Sequence, residues 1–188
     1  MDAISNFAAR YARTCEEEMS IDEHLAECKR DPMAHATSAQ RMLAAIGEPE
    51  MVDTRNDPRL SRLFANKVIK RYPAFTEFYG MEESIEQVVS FFRHAAQGLE
   101  ERKQILYLLG PVGGGKSSIA ERLKALMQKV PFYALKGSPV NESPLGLFDA
   151  AEDGPVLEEQ FGIPRRYLQR VLSPWAVKRL EEYGGDLR

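Results

Sequence analysis

The stretch Ile105-Leu-Tyr-Leu-Leu-Gly-Pro-Val-Gly-Gly-Gly-Lys-Ser117 decides how this chain is read. Its first five residues are a continuous apolar run with charge before it and glycine after it, the pattern of a strand buried on both faces of a parallel sheet. Gly110 to Ser117 then fits G-x-x-x-x-G-K-[ST], the Walker A phosphate loop or P-loop. Ser117 to Gln128 follows as a predicted helix with Ile119, Leu123 and Leu126 turned inward, and Val130 to Leu135 reads as the next strand. Strand, loop, helix and strand in this order make a βαβ-like unit, so the expected class is α/β with a P-loop NTPase core.

The chemistry of the loop follows from its residue types. Gly113, Gly114 and Gly115 lack a Cβ, so the backbone can take positive φ and curl its N–H groups around a phosphate chain. The helix that starts near Lys116 adds the positive end of its dipole. Lys116 is the cation expected at the β- and γ-phosphates and the residue assigned a catalytic part, while the Ser117 hydroxyl is the expected protein ligand of Mg²⁺. Gly110, Pro111, Val112, Gly113, Gly114, Gly115, Lys116, Ser117 and Ser118 form the predicted nucleotide site, Ser118 assisting at the α-phosphate. The predicted ligands are ATP or ADP, with Mg²⁺.

Phosphoryl transfer also needs an acid that holds the metal through water. That acid should end an apolar run, and none follows Leu135; Leu145-Gly-Leu-Phe-Asp149 is short and broken by glycine, so Asp149 reads as a loop residue. Arg165-Arg166, which could suggest an arginine finger, reads as a solvated basic pair. Trp175, near a helix start, reads as a packing anchor and not as a base-stacking residue. The H-R-D and D-F-G signatures of eukaryotic-type protein kinases are absent.

Upstream, the first hundred residues read as helical. Ser20-Ile-Asp-Glu23 and Thr37-Ser-Ala-Gln40 have the form of capping boxes, with Asp31-Pro32 and Gly47 as the corresponding stops. Gly47 to Asp57 reads as a linker or loop. Asp57-Pro58 opens a further helix that Pro73 closes. From Met81 to Gln97, Ile85, Val88, Val89 and Phe92 make one apolar stripe. Beyond Gly137 the chain reads as mostly loop, until a last helix with Ser173 as N-cap and Pro174 at its first position, ending at Gly184-Gly185.

Composition sets the outer limits. The 188 residues, 44% hydrophobic and 28% charged, suit a globular chain: one ordinary domain, or a small helical domain joined to part of a larger one. A net charge of −3 gives no global attraction to nucleic acid or to anionic membrane. No apolar run is long enough to span a bilayer, and the first residues lack an apolar signal core, so the expected setting is cytoplasmic. Cys15 and Cys28 read as free thiols. With His24 and His35 they offer a zinc-type set, but without a CxxC pair ordinary packing is the expectation.

Three segments together resemble one known family: Phe78-Tyr-Gly-Met-Glu-Glu-Ser-Ile-Glu-Gln87, the P-loop, and Gly137-Ser-Pro-Val-Asn-Glu-Ser-Pro-Leu-Gly146. The chain looks like the N-terminal part of the bacterial PrkA family of serine protein kinases. The resemblance implies a helical N-terminal region over residues 1–75, followed over 76–188 by the N-terminal part of an AAA-type ATPase domain. It also implies a longer parent protein with a kinase-related region, a protein substrate or partner, and a homo-oligomeric assembly. Family residues carry over only at Gly110 to Ser117. In AAA-type sheets later strands flank the one that carries the P-loop, so these residues are expected to be a truncated fragment whose P-loop strand has exposed edges. The resemblance therefore implies an ATP-binding module that does not complete catalysis alone. The alternatives are an AAA-type mechanochemical module linked to proteolysis or remodelling, a small-molecule P-loop kinase, and a helical partner-binding module regulated by nucleotide.

Overall fold

In a computed structural model of the chain, residues 4–7, 18–168 and 171–186 are described. The chain divides into two compact units, one of residues 36–132 and the other of residues 1–35 with 133–188.

In the unit of residues 36–132, helix α2 (Ser38–Ile46) begins where the spacing predicts. The Thr37 hydroxyl accepts from the Gln40 amide at 3.3 Å, and the Gln40 side chain accepts from the Thr37 amide at 2.8 Å. Gly47 closes the helix with φ of +79° and donates its N–H to Leu43 O at 2.9 Å. Asp57 caps α3 (Pro58–Phe64) through the amides of Arg59 and Leu60. Helix α4 (Glu82–Ala96) buries Ile85, Val88 and Val89 on the predicted stripe, with Phe92 partly buried beside them. Helix α5 (Lys116–Met127) buries Ile119, Leu123 and Leu126. The inner faces of α2, α4 and α5 meet in one apolar core, to which Met42, Ile46, Tyr72 and Phe75 also belong.

The sheet lies elsewhere than expected. Strands β1 (Glu50–Asp53) and β2 (Val68–Arg71) pair antiparallel, with Val52 opposite Ile69 and Asp53 opposite Val68. These residues fall where the sequence reads as loop and as the end of a helix. The helix from Pro58 stops early because Ala65 and Asn66 take left-handed φ of 52° and 62°. The β-branched pair Val68-Ile69 then continues as a strand. Thr54, fully buried, locks the base of the ribbon by donating its hydroxyl to Lys67 O at 2.7 Å.

The expected βαβ unit is not formed among the described residues. Residues 105–109 belong to no sheet, and neither do residues 131–135. Leu106 and Leu108 pack against the core, but Ile105, Tyr107 and Leu109 are 90%, 79% and 83% exposed. The segment keeps the period of two that a strand has, with one face buried and not both. The reason is that burial on both faces needs neighbouring strands, and no other described segment pairs with this one.

In the other unit, α1 (Ile21–Arg30) starts at a complete capping box between Ser20 and Glu23. Helix α6 (Gly154–Phe161) is an addition to the sequence reading, which took Gly154-Pro155 as punctuation. Pro155 stands in the first turn, where no N–H is needed. Gly154 is required because a Cβ there would lie 2.9 Å from Arg165 Cγ. Helix α7 (Pro174–Glu182) begins at Ser173, whose hydroxyl accepts from the Ala176 amide at 3.3 Å. Glu142 braces this start by accepting from the hydroxyls of Ser173 at 2.7 Å and Ser138 at 3.2 Å. Burial raises the Glu142 pKa, but a hydrogen bond from the Ser173 amide, together with these two from the hydroxyls, outweighs it and holds the carboxyl below its ordinary value. Leu25, Cys28, Leu145, Leu157, Ile163 and Leu168 form the core.

His24 and Cys28 share a buried face of α1, with Cys28 Sγ 3.6 Å from His24 Nε2. The His24 ring lies 4.9 Å from that of Tyr133, and the His35 ring 5.2 Å from that of Tyr167. Burial pushes the Cys28 thiol up to about 11, so it stays protonated in the folded chain. Cys15 lies outside the described residues, among which no group of three or more His, Cys, Asp or Glu side chains is placed to hold a metal.

Two expectations follow. Ile85→Ala should cost about 2–5 kcal/mol in urea unfolding, because the cavity opens at the centre of the three-helix core. Burial holds the pKa of both His24 and His35 below the ordinary value, with His35 adding to the effect at His24. The unfolded chain therefore takes up protons first as pH falls below about 6.5, and stability declines from there until the folded imidazoles also protonate. His24→Gln should flatten the fall in unfolding free energy between about pH 7 and 5.5.

Candidate nucleotide-binding site

The P-loop connects the extended segment to α5, and its shape comes from the glycines. Pro111 to Gly114 close a turn in which the Gly114 N–H donates to Pro111 O at 3.2 Å. A Cβ on Gly114 would stand 3.1 Å from that same carbonyl oxygen. Gly113 and Gly115 take φ of +78° and +71°, which other residues adopt only with strain. Gly115 is also the N-cap of α5, and no side chain caps that helix. The first amides of a helix have no carbonyl partner within it, so this end offers N–H donors together with the positive end of the dipole.

Lys116, the first residue of α5, is half-buried. Its ammonium folds back to donate to Gly110 O at 2.8 Å and to Pro111 O. Ser117 and Ser118 follow on the first turn and are exposed, as are Gly110 to Gly114. Ile119 starts the buried face one residue later, so the core anchors the helix directly behind its polar tip. The nine residues singled out from the motif thus stand together at one loop and one helix end.

The other candidates have structural work. Asp149 accepts from the amides of Ala151 at 2.7 Å and Glu152 at 3.3 Å, closing a turn as the loop reading expects. Arg165 pairs with Glu158 at 3.1 Å, and Arg166 lies over the Tyr167 ring at 5.2 Å. Trp175 is half-buried against Gly137 and carries Arg179 over its ring at 5.8 Å.

Two features near the loop escaped the sequence reading. Met81, the N-cap residue of α4, packs on Gly115: a Cβ on that glycine would stand 2.8 Å from Met81 Sδ. Beside it, buried Glu82 lines a cavity of about 230 Å³ with Tyr72, Phe78 and Tyr79 among its walls. The only sequence signal for either is the stretch Gly80-Met-Glu-Glu83, which carries part of the family resemblance.

With the loop described, its relatives can be set beside it. The model of the PrkA AAA domain family matches residues 19–188. A loop of this kind within an AAA domain places the chain in the P-loop NTPase class, here with helices and a small two-stranded sheet among the described residues. The chain belongs to the PrkA AAA domain family. It is 60% identical over 191 residues to the serine/threonine kinase YeaG of Escherichia coli strain K12, covering 100% of this chain and 30% of that protein. The YeaG of Escherichia coli O157:H7 matches with the same identity and coverage. The ATP-dependent protease PrkA of Bacillus subtilis strain 168 is 35% identical over 181 residues, covering 90% of this chain and 26% of that protein. The chain thus spans about a third or less of the length of these relatives. No solved structure matches it. Membership of an AAA family carries nucleotide use, commonly with Mg²⁺. Among the described residues no helix is long and apolar enough to cross a membrane.

The two outer glycines of the loop should respond differently to substitution. Gly113→Ala meets nothing within 4 Å and pays only for its positive φ, about 1 kcal/mol. Gly115→Ala adds a close approach to the movable end of Met81, which must shift, and should cost somewhat more, about 1–2 kcal/mol, in the same urea unfolding measurement.

Proposed function

We propose that this chain is the ATP-binding module of a PrkA-type protein, and that Gly110 to Ser118 hold the phosphates. The observation that carries this reading is the arrangement at the start of α5. Two positive-φ glycines lead into a helix end with no side-chain cap, with Lys116 in its first position. In the proposed complex the loop amides and the helix end surround the phosphate chain, and the Lys116 ammonium leaves the carbonyls of Gly110 and Pro111 for the β- and γ-phosphates. Its charge there would stabilise negative charge on the transferred group, which is its catalytic part.

The residues fit a magnesium ion bound mainly through phosphate oxygens and water. Ser117 offers one exposed hydroxyl on the first turn, and Mg²⁺ commonly keeps several waters in such sites. The ion would neutralise the phosphates and hold them in line. The chain then binds nucleotide without turning it over, because Asp149, the acid that ends the short apolar run 145–148, is committed to a turn through the amides of Ala151 and Glu152.

In the whole protein the module would license phosphorylation of a protein substrate, as the name of the serine/threonine kinase YeaG suggests. The name of the Bacillus relative favours a second reading, an AAA-type mechanochemical module linked to proteolysis or remodelling. A homo-oligomer in the cytoplasm, without nucleic acid or membrane as partners, suits both. ATP-dependent assembly of the longer protein without phosphate transfer to protein would favour the second.

Calorimetry of Mg·ATP and Mg·ADP on this chain tests the binding claim, with phosphate release assayed in the same samples. Lys116→Ala should weaken binding about tenfold or more, the worth of one or two charge-assisted hydrogen bonds. Phosphate release should stay at background. Equal binding by the variant would remove Lys116 from the site, and turnover by this chain would mean that a metal-holding acid is present in it.

A further inference from the structure

We infer that Met81 is a positioning residue for the phosphate loop, a part of the site that lies outside the motif and about thirty residues before it. The inference rests on the nucleotide-binding reading above. Three observations carry it. A Cβ placed on Gly115 would lie 2.8 Å from Met81 Sδ and 3.0 Å from Met81 Cε, so the thioether occupies the space beside the glycine that opens α5. Gly80, directly before Met81, has φ of +77°, and a Cβ there would lie 3.2 Å from Leu63 Cδ2 of α3. Met81 itself is partly buried against the core that α2, α4 and α5 share. The turn at residues 80–81 therefore lies beside the exposed Leu63 on one side and the phosphate loop on the other.

The physical consequence concerns Gly115. A glycine with φ of +71° has a wide basin of backbone conformations, and although the Gly115 carbonyl accepts from the Ile119 amide at 2.9 Å, that bond ties it only to the helix that follows. Helix α5 is fixed by its buried face, but the loop before it is exposed from Gly110 to Gly114. Met81 supplies a stop on the otherwise open side of Gly115. An unbranched thioether fills such an irregular gap without demanding one rotamer. It thereby holds the first amides of α5 and the Lys116 Cα where the phosphates must meet them. Binding sites lose affinity when a supporting side chain of this kind is removed, even though it does not touch the ligand.

The test compares Met81→Ala and Met81→Leu with the unaltered chain by two measurements. The first is amide hydrogen exchange without nucleotide, followed for the loop at Gly114 and Ile119, whose N–H groups are bonded to Pro111 O and Gly115 O, and over the core helix residues 85–92. The second is Mg·ATP calorimetry. Met81→Ala should speed exchange in the loop and leave residues 85–92 unchanged, and should weaken Mg·ATP about tenfold, while Met81→Leu restores both to within about twofold. Unchanged loop exchange in Met81→Ala would overturn the inference. So would exchange that rises equally in the loop and in α4, or a variant that no longer folds, since Met81 would then be a core residue with no particular hold on the loop. Faster loop exchange with no Mg·ATP binding by the unaltered chain would uphold the positioning of the loop and sink the nucleotide reading instead.

Discussion

The phosphate loop depends on an apolar contact that faces away from it. Ile119, Leu123 and Leu126 on α5 pack into the core that Ile85, Val88 and Val89 of α4 help to form. A loop of glycines cannot hold its own shape, because each one gives up more conformational freedom on ordering than any other residue. Its geometry is therefore borrowed from the helix it leads into, and that helix is held by burial. Lys116 and Ile119 are three residues apart, so one turn of helix separates the polar tip from the anchored face.

The same core accounts for the condition of the segment before the loop. Leu106 and Leu108 reach it and are partly buried, whereas Ile105, Tyr107 and Leu109 point away and stay exposed. One face of the segment is satisfied by helices, and the other face, together with the backbone donors and acceptors along its length, belongs to no sheet among the described residues. An extended apolar run in this state is a template for another strand. The family provides a context, since the matched relatives are about three times longer than this chain or more.

One polar network in the unit of residues 36–132 shows burial with partners. Glu86 takes hydrogen bonds from Lys70 at 2.6 Å and from the Tyr72 hydroxyl, and Arg93 donates to that hydroxyl at 3.2 Å. Burial and the Glu86 carboxylate push the Tyr72 phenol up to about 12, so it remains a neutral donor throughout the physiological range. The network ties β2 to α4 beside the buried ring of Tyr72. It is a structural clamp, and it leaves Lys116 as the cation at the start of α5.

Local rules determined much of this protein from its sequence alone. Both capping boxes, the N-caps at Asp57 and Ser173, the buried stripes of α4 and α5 and the loop between Gly110 and Ser117 all involve residues within a few positions of one another. Their hydrogen bonds and periodicities are therefore written in the spacing. What only the tertiary structure decided has partners distant in the chain. Glu50–Asp53 pairs with Val68–Arg71, residues 105–109 pair with nothing described, and Met81 lies against Gly115. An apolar run announces that it will be buried, but it does not carry the identity of the surface that will bury it. A strand needs that second surface to become part of a sheet, whereas a helix satisfies its backbone by itself, and so most of the helices were legible, α6 excepted, and the sheet was not.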